Sequence, residues 1–143
     1  MQNDISMLNS IRKTTQMGCY GIRTVLSETE DHEMREALRS QLAEYENIYS
    51  EADRLLRERE GRVKSVSPLA RCGSAMSAKM KVRMSDDPTS KIAELMLQGN
   101  TRGMIKSVQN IRSMGLLDPK VSGLSNRLLQ TEQANIDQMK GFL

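Results

Sequence analysis

Much of what usually betrays a reaction is missing from this chain. Its 143 residues hold one histidine, two cysteines, one phenylalanine, three tyrosines and no tryptophan. A lone His32 cannot build an imidazole-rich metal centre, and no Cys-x-x-Cys or His-x-x-x-His pair occurs. So few aromatics leave no stacking platform for single-stranded nucleic acid, which makes nucleic acid an unlikely partner. No run reaches the roughly 18 apolar residues of a membrane span, so membrane contact is expected to be peripheral at most. The N-terminal MQNDISMLNS is polar rather than a signal segment, and Cys19 and Cys72 read as free thiols of a cytoplasmic protein. There is no glycine-rich phosphate loop and no nucleophile paired with a base, so neither enzymatic activity nor a cofactor is expected.

What the chain does have is helical periodicity and methionine, eleven of them. Met7, Leu8, Ile11, Thr15, Gly18, Ile22, Val25 and Leu26 recur on one face, predicting a helix over about 4–29. Asp31 is placed to cap a second, over about 31–59, with the stripe Met34, Leu38, Gln41, Tyr45, Ile48, Ala52, Leu55 and Leu56. Asp87-Pro88 opens a third long helix, 88–114, expected to end at a left-handed Gly115 with Leu116 folding back on it. Pro119 opens the last, 119–142, whose face carries Val121, Leu124, Leu128, Glu132, Asn135, Ile136, Met139, Phe142 and Leu143. A shorter helix, about 68–84, is expected to cross between the two hairpins. Its apolar face would be Leu69, Cys72, Met76, Met80 and Met84, covering the broad apolar surface of 88–114. Within that third helix, Gly99 and Gly103 would admit another backbone at close range.

The expected fold is all-α, one domain over 1–143, with two antiparallel up-down hairpins assembled as a four-helix bundle. Moving the second helix by 87 positions lays Met34 on Val121, Tyr45 on Glu132, Ile48 on Asn135 and Leu56 on Leu143. That register suggests an internal repeat, although helical periodicity alone produces part of it.

Glu132 is the anomaly: a carboxylate in the middle of an inward face, with Asn135 one turn on. Buried and ionised it would cost several kcal/mol, so it needs donors or a proton. Tyr45 and Gln41 are its expected partners, within a buried polar layer of Thr15, Gln41, Tyr45, Asn100, Glu132 and Asn135 that sets helix register.

With long hairpins, a long crossover and Glu132-x-x-Asn135, the chain resembles the ferritin-like four-helix-bundle superfamily, especially its small bacterial members without assigned function. DHEMREALRSQLAEYENI and ELMLQGNTRGMIKSV are segments at home there, and the spore-coat members are a second similarity. The resemblance implies a dinuclear site of inward glutamates and two Glu-x-x-His pairs. The corresponding positions here are Thr15, Gly18, Gln41, Tyr45, Asn100, Gly103, Glu132 and Asn135, with one carboxylate and no imidazole. Glu44-x-x-Asn47 repeats the spacing, but Glu44 falls at the edge of its helix's buried face. The ligand set of a di-iron enzyme is therefore lacking, and Glu132 and Asn135 are at best weak metal candidates.

Two further features stand out. Residues 1–60 carry 8 basic and 12 acidic side chains, and residues 61–143 carry 13 and 6. Arg62, Lys64, Arg71, Lys79, Lys81 and Arg83 form a basic stretch that could meet an acidic partner or an anionic surface. The Cys72, Met76, Met80 and Met84 series could offer sulfur to Cu(I), though such stripes more often fill cores. The expected function is a non-enzymatic structural or interaction protein that self-associates, a dimer being favoured. The alternatives are a metal storage or sensing protein using Glu132 or the sulfur stripe, and a peripheral membrane or acidic-partner binder using 62–84.

Overall fold

Four long helices account for most of the chain: α1 (Gln2–Leu26), α2 (His32–Glu58), α3 (Pro88–Ser113) and α4 (Pro119–Lys140). The computed structural model describes residues 2–59 and 77–143, and no strand occurs among them. Residues 77–83 form a further helical stretch ahead of α3. No described helix is long and apolar enough to cross a membrane.

The starts of the helices follow from side-chain caps. Asp31 accepts from Met34 N at 2.9 Å, Asp87 from Ser90 N at 3.1 Å, and Asp118 from Lys120 N at 2.9 Å. Each answers an amide that the first turn leaves without a partner, and proline occupies the first position of α3 and α4. α1 ends at Leu26, three residues short of the expected 29, because Ser27 and Thr29 turn their hydroxyls back on Thr24 and Val25 carbonyls.

The helices pair as two hairpins. α1 and α2 pack along their length, joined by Arg23 to Glu46 toward the turn and by Arg12 to Asp53 toward the open end. α3 and α4 form the second hairpin across the short link 114–118. Asn110 of α3 donates to Ser10 of α1 at 2.6 Å, and Asp118 N donates to Asp4 at 2.9 Å, so α3 runs against α1 and α4 runs with it. Arg59, at the end of α2, lies 3.4 Å from Asp118 and 4.0 Å from Asp4, gathering three helix ends at one pole. At the other pole Arg83 grips Glu28 through two nitrogens.

One apolar cluster runs through both hairpins, from Met7, Leu8 and Ile22 through Met34, Leu38 and Ile48 to Ile92, Leu128 and Met139. Fully burying a side chain of this size contributes roughly 1.5–3 kcal/mol, so these positions dominate stability. The buried faces repeat. Met34, Ala37, Leu38, Gln41, Tyr45, Ile48 and Ala52 of α2 correspond at an offset of 87 to Val121, Leu124, Ser125, Leu128, Glu132, Asn135 and Met139 of α4, all of them buried. Met7, Leu8, Thr15, Ile22 and Val25 of α1 correspond at an offset of 85 to Ile92, Ala93, Asn100, Ser107 and Asn110 of α3.

Several expectations are corrected. Gly115 is not in the left-handed region. The chain leaves α3 through Met114 at φ −85° and ψ 139°, which turns Leu116 fully outward and lets Leu117 reach the core instead. Leu143 lies past the end of α4 and is exposed, while Phe142 packs partly on the core. Met80 and Met84 are 62% and 78% exposed, and Val82 is the residue of that stretch that enters the core. A spacing of four advances about 40° further round a helix at each step, so a stripe of fours winds off any one face. Leu69, Cys72 and Met76 lie outside the described residues. Finally, a Cβ at Gly99 would meet nothing within 4 Å among the described residues, so none of their backbone approaches there.

Candidate functional site

The core is interrupted at mid-height by a set of polar groups drawn from three helices. Tyr45 Oη of α2 lies 2.7 Å from Asn100 Oδ1 of α3 and 2.9 Å from Glu132 Oε2 of α4. Glu132 is 1% exposed, and Tyr45 and Asn100 are also buried. A phenol has one proton to give, so two short contacts to acceptors need a second proton. Protonation of Glu132 supplies it when the acid is neutral, and an Asn100 amide turned to present its nitrogen supplies it when the acid is ionised and accepts from Tyr45.

The electrostatics of the layer pull in both directions. Burial pushes the Glu132 carboxyl up to about 7, against the opposing effect of the Tyr45 hydrogen bond. Burial, and then the neighbouring Glu132 charge, raise the Tyr45 phenol above its ordinary value. Cys19 is a buried free thiol, also raised chiefly by burial.

Two glycines make the arrangement sterically feasible. A Cβ on Gly18 of α1 would stand 2.8 Å from Tyr45 Cε2, and one on Gly103 of α3 would stand 2.7 Å from Glu132 Oε1. Each inward polar side chain therefore lies over a bare stretch of the helix that accompanies it in its hairpin. The sequence pattern placed Gly18 on the buried face and expected a close approach at Gly103. It did not identify what approaches. The signal was available: Gly18 and Gly103 are 85 apart, nearly the separation of Tyr45 from Glu132, so the two pairs are counterparts.

The expected polar layer is brought together only in part. Thr15 is buried, but its hydroxyl donates to Ile11 O at 2.9 Å within its own helix. Gln41 does not bond Glu132: its Nε2 donates to Gln138 Oε1 at 2.8 Å, because Gln41 faces the end of α4 nearly two turns beyond the acid. Asn135 is buried and acts on the Tyr45 phenol in the direction that favours the anion, yet its Nδ2 has no hydrogen-bond partner among the described residues. Glu44 is half-buried and paired with Arg127 at the surface, and Asn47 and His32 are exposed.

A metal centre at this position does not fit the residues present. Among the described residues no three His, Cys, Asp or Glu side chains converge, and the single acid faces a phenol and an amide. Of the basic stretch, Lys79 and Lys81 carry no ion pair among the described residues, and Arg83 is engaged by Glu28 of the same chain. Arg62, Lys64 and Arg71 lie outside the described residues.

A groove of about 860 Å³ opens between α1 and α3, with Tyr45 and Glu132 at its floor. Its walls are Met17, Ile22, Val25, Leu95 and Met96, and Ser77, Ala78 and Lys81 border it. The broad apolar surface expected of α3 is thus only partly covered: Leu95 and Met96 are half-buried against this opening, and Ile105 is exposed. Compared with protein-family models, curated proteins and solved structures, the chain finds no significant match.

Proposed function

We propose that the chain is a non-enzymatic structural or interaction protein with a ferritin-like bundle arrangement, in which a hydrogen-bonded Tyr45–Glu132–Asn100 layer stands where a metal centre would otherwise lie. The observation that carries this reading is the pairing of Glu132 with a phenol inside an apolar core. A buried acid hydrogen-bonded to a phenol of the other hairpin can fix how the two hairpins register, since sliding them would strand it without a partner. A phenol held above its ordinary range stays protonated and is a poor acid, and among the described residues no second carboxylate or imidazole stands beside it.

Self-association is part of the proposal, a dimer being favoured. Support comes from large apolar side chains at the surface, Ile105, Leu116 and Leu143. A cytoplasmic setting is consistent with the free thiol of Cys19. The test is elemental analysis and light-scattering mass of protein purified from its native host. Substoichiometric metal, a dimeric mass and a melting temperature indifferent to chelator are expected. Near-stoichiometric iron, copper or manganese would overturn the reading.

A further inference from the structure

The groove between α1 and α3 has three properties that internal packing does not require. First, its mouth is cationic. Lys13, Lys81, Arg102 and Lys106 line it, all four are exposed, and none makes an ion pair among the described residues. Most other cations of the described chain are committed to a carboxylate, including Arg12, Arg23, Arg54, Arg59, Arg83 and Arg127. Among the described residues no acidic side chain borders the groove except Glu132 at its floor, already hydrogen-bonded to Tyr45.

Second, two glycines hold it open without a packing reason. Gly18 and Gly103 are needed by Tyr45 and Glu132, whereas a Cβ at Gly21 would touch only the end of Met96 at 3.9 Å and one at Gly99 would touch nothing. Glycine is the poorest helix former after proline, so two of them facing an opening maintain a space at the expense of their helices. The Asn110–Ser10 bond fixes the antiparallel register, so Gly21 lies at about the level of Gly99 and Lys13 at about that of Lys106.

Third, its cations are unevenly placed. Lys13, Arg102 and Lys106 gather toward the pole where α1 begins, and Ile22, Val25, Leu95 and Met96 form the walls toward the other end, where Lys81 is the single lining cation among the described residues. At about 860 Å³ the space falls within the range of about 300–1,000 Å³ typical of small-molecule sites.

We propose that this groove binds a small soluble amphipathic carboxylate, a single unbranched chain with one anionic head. The head sits among Lys13, Arg102 and Lys106, and the chain lies past Gly21 and Gly99 against Leu95 and Met96. The site goes beyond the structural role proposed above and does not depend on it.

Calorimetric titration with decanoate, below the concentration at which it forms micelles, tests this. One saturable site per chain is expected, with decyltrimethylammonium failing to saturate it. The double variant Lys13→Glu/Lys106→Glu, which changes only exposed side chains, is expected to weaken decanoate at least tenfold. Gly99→Leu places a side chain in the opening and removes a helix glycine. It should keep or raise the melting temperature and also weaken binding at least tenfold. The proposal is overturned if decanoate shows no saturable binding, if the cation binds as well, or if either variant binds like the parent.

Discussion

Set side by side, the two hairpins bury the same positions with different chemistry. Where the first places Ile22, Val25, Tyr45 and Ile48, the second places Ser107, Asn110, Glu132 and Asn135. At these four positions the first hairpin supplies apolar surface, and the second supplies polar groups, two of which find partners within the first. Glu132 finds one in Tyr45, and Asn110 finds one in Ser10. Asn135, the counterpart of the apolar Ile48, has no partner for its Nδ2 among the described residues. A repeated scaffold can thus hold its geometry while one copy carries the core and the other carries the register.

The contrast breaks most severely at Ile48. Its truncation to alanine should lower unfolding free energy by about 2–5 kcal/mol in urea denaturation, the usual result of emptying a well-packed site. A loss much below that range would mean that the first hairpin does not carry the core.

The Glu132 proton gives the next largest effect. Its carboxyl titrates near 7 when folded and near the ordinary 4.5 when unfolded, so the folded chain holds a proton that the unfolded one releases between those values. Stability contributed by this group is therefore fully present below about pH 4.5 and is lost as pH rises through 7, by roughly 3 kcal/mol in all. Melting curves at several pH values should show that decline in the parent but not in Glu132→Gln, so equal pH profiles would remove the buried proton from the account.

Gly18→Ala probes the steric match directly. The new Cβ would press on the Tyr45 ring, and a loss of about 1–3 kcal/mol is expected despite the better helix propensity of alanine. Stabilisation instead would show that the ring can move aside. Asn135→Leu should have the smallest effect, within about 1 kcal/mol of the parent or above it, since it removes a buried amide nitrogen with no partner. Circular-dichroism melts of Asn135→Leu beside Ile48→Ala would measure the asymmetry between counterpart positions.

The helices were legible because their causes are local. Asp31 and Asp87 cap where a short acceptor precedes a periodic stretch, and both do so in the structure. Glu132 was legible as inward because one carboxylate in a stripe of apolar neighbours has few other places to go. Its partner set was harder: Tyr45 and Gln41 are one turn apart on one face, and only the packed register decides that Tyr45 meets Glu132 and Gln41 meets Gln138. The exit from α3 was misread because glycine permits a left-handed turn without requiring one. Val82 was overlooked because the methionines around it are larger and more regular. The cationic mouth was invisible in sequence, since Lys13 and Lys106 become neighbours only when α1 and α3 run in opposite directions.

The contact between Gly18 and Tyr45, and its counterpart between Gly103 and Glu132, also bear on how this chain can change over generations. A larger residue at 18 is tolerated only once the ring at 45 has gone, and one at 103 only once the acid at 132 has shortened or left. Each of the two pairs can therefore be crossed without a clash in one order only, the big partner shrinking first. Sequences descended from a common ancestor should bear the trace of that order as linked substitutions, small at one site whenever large at the other.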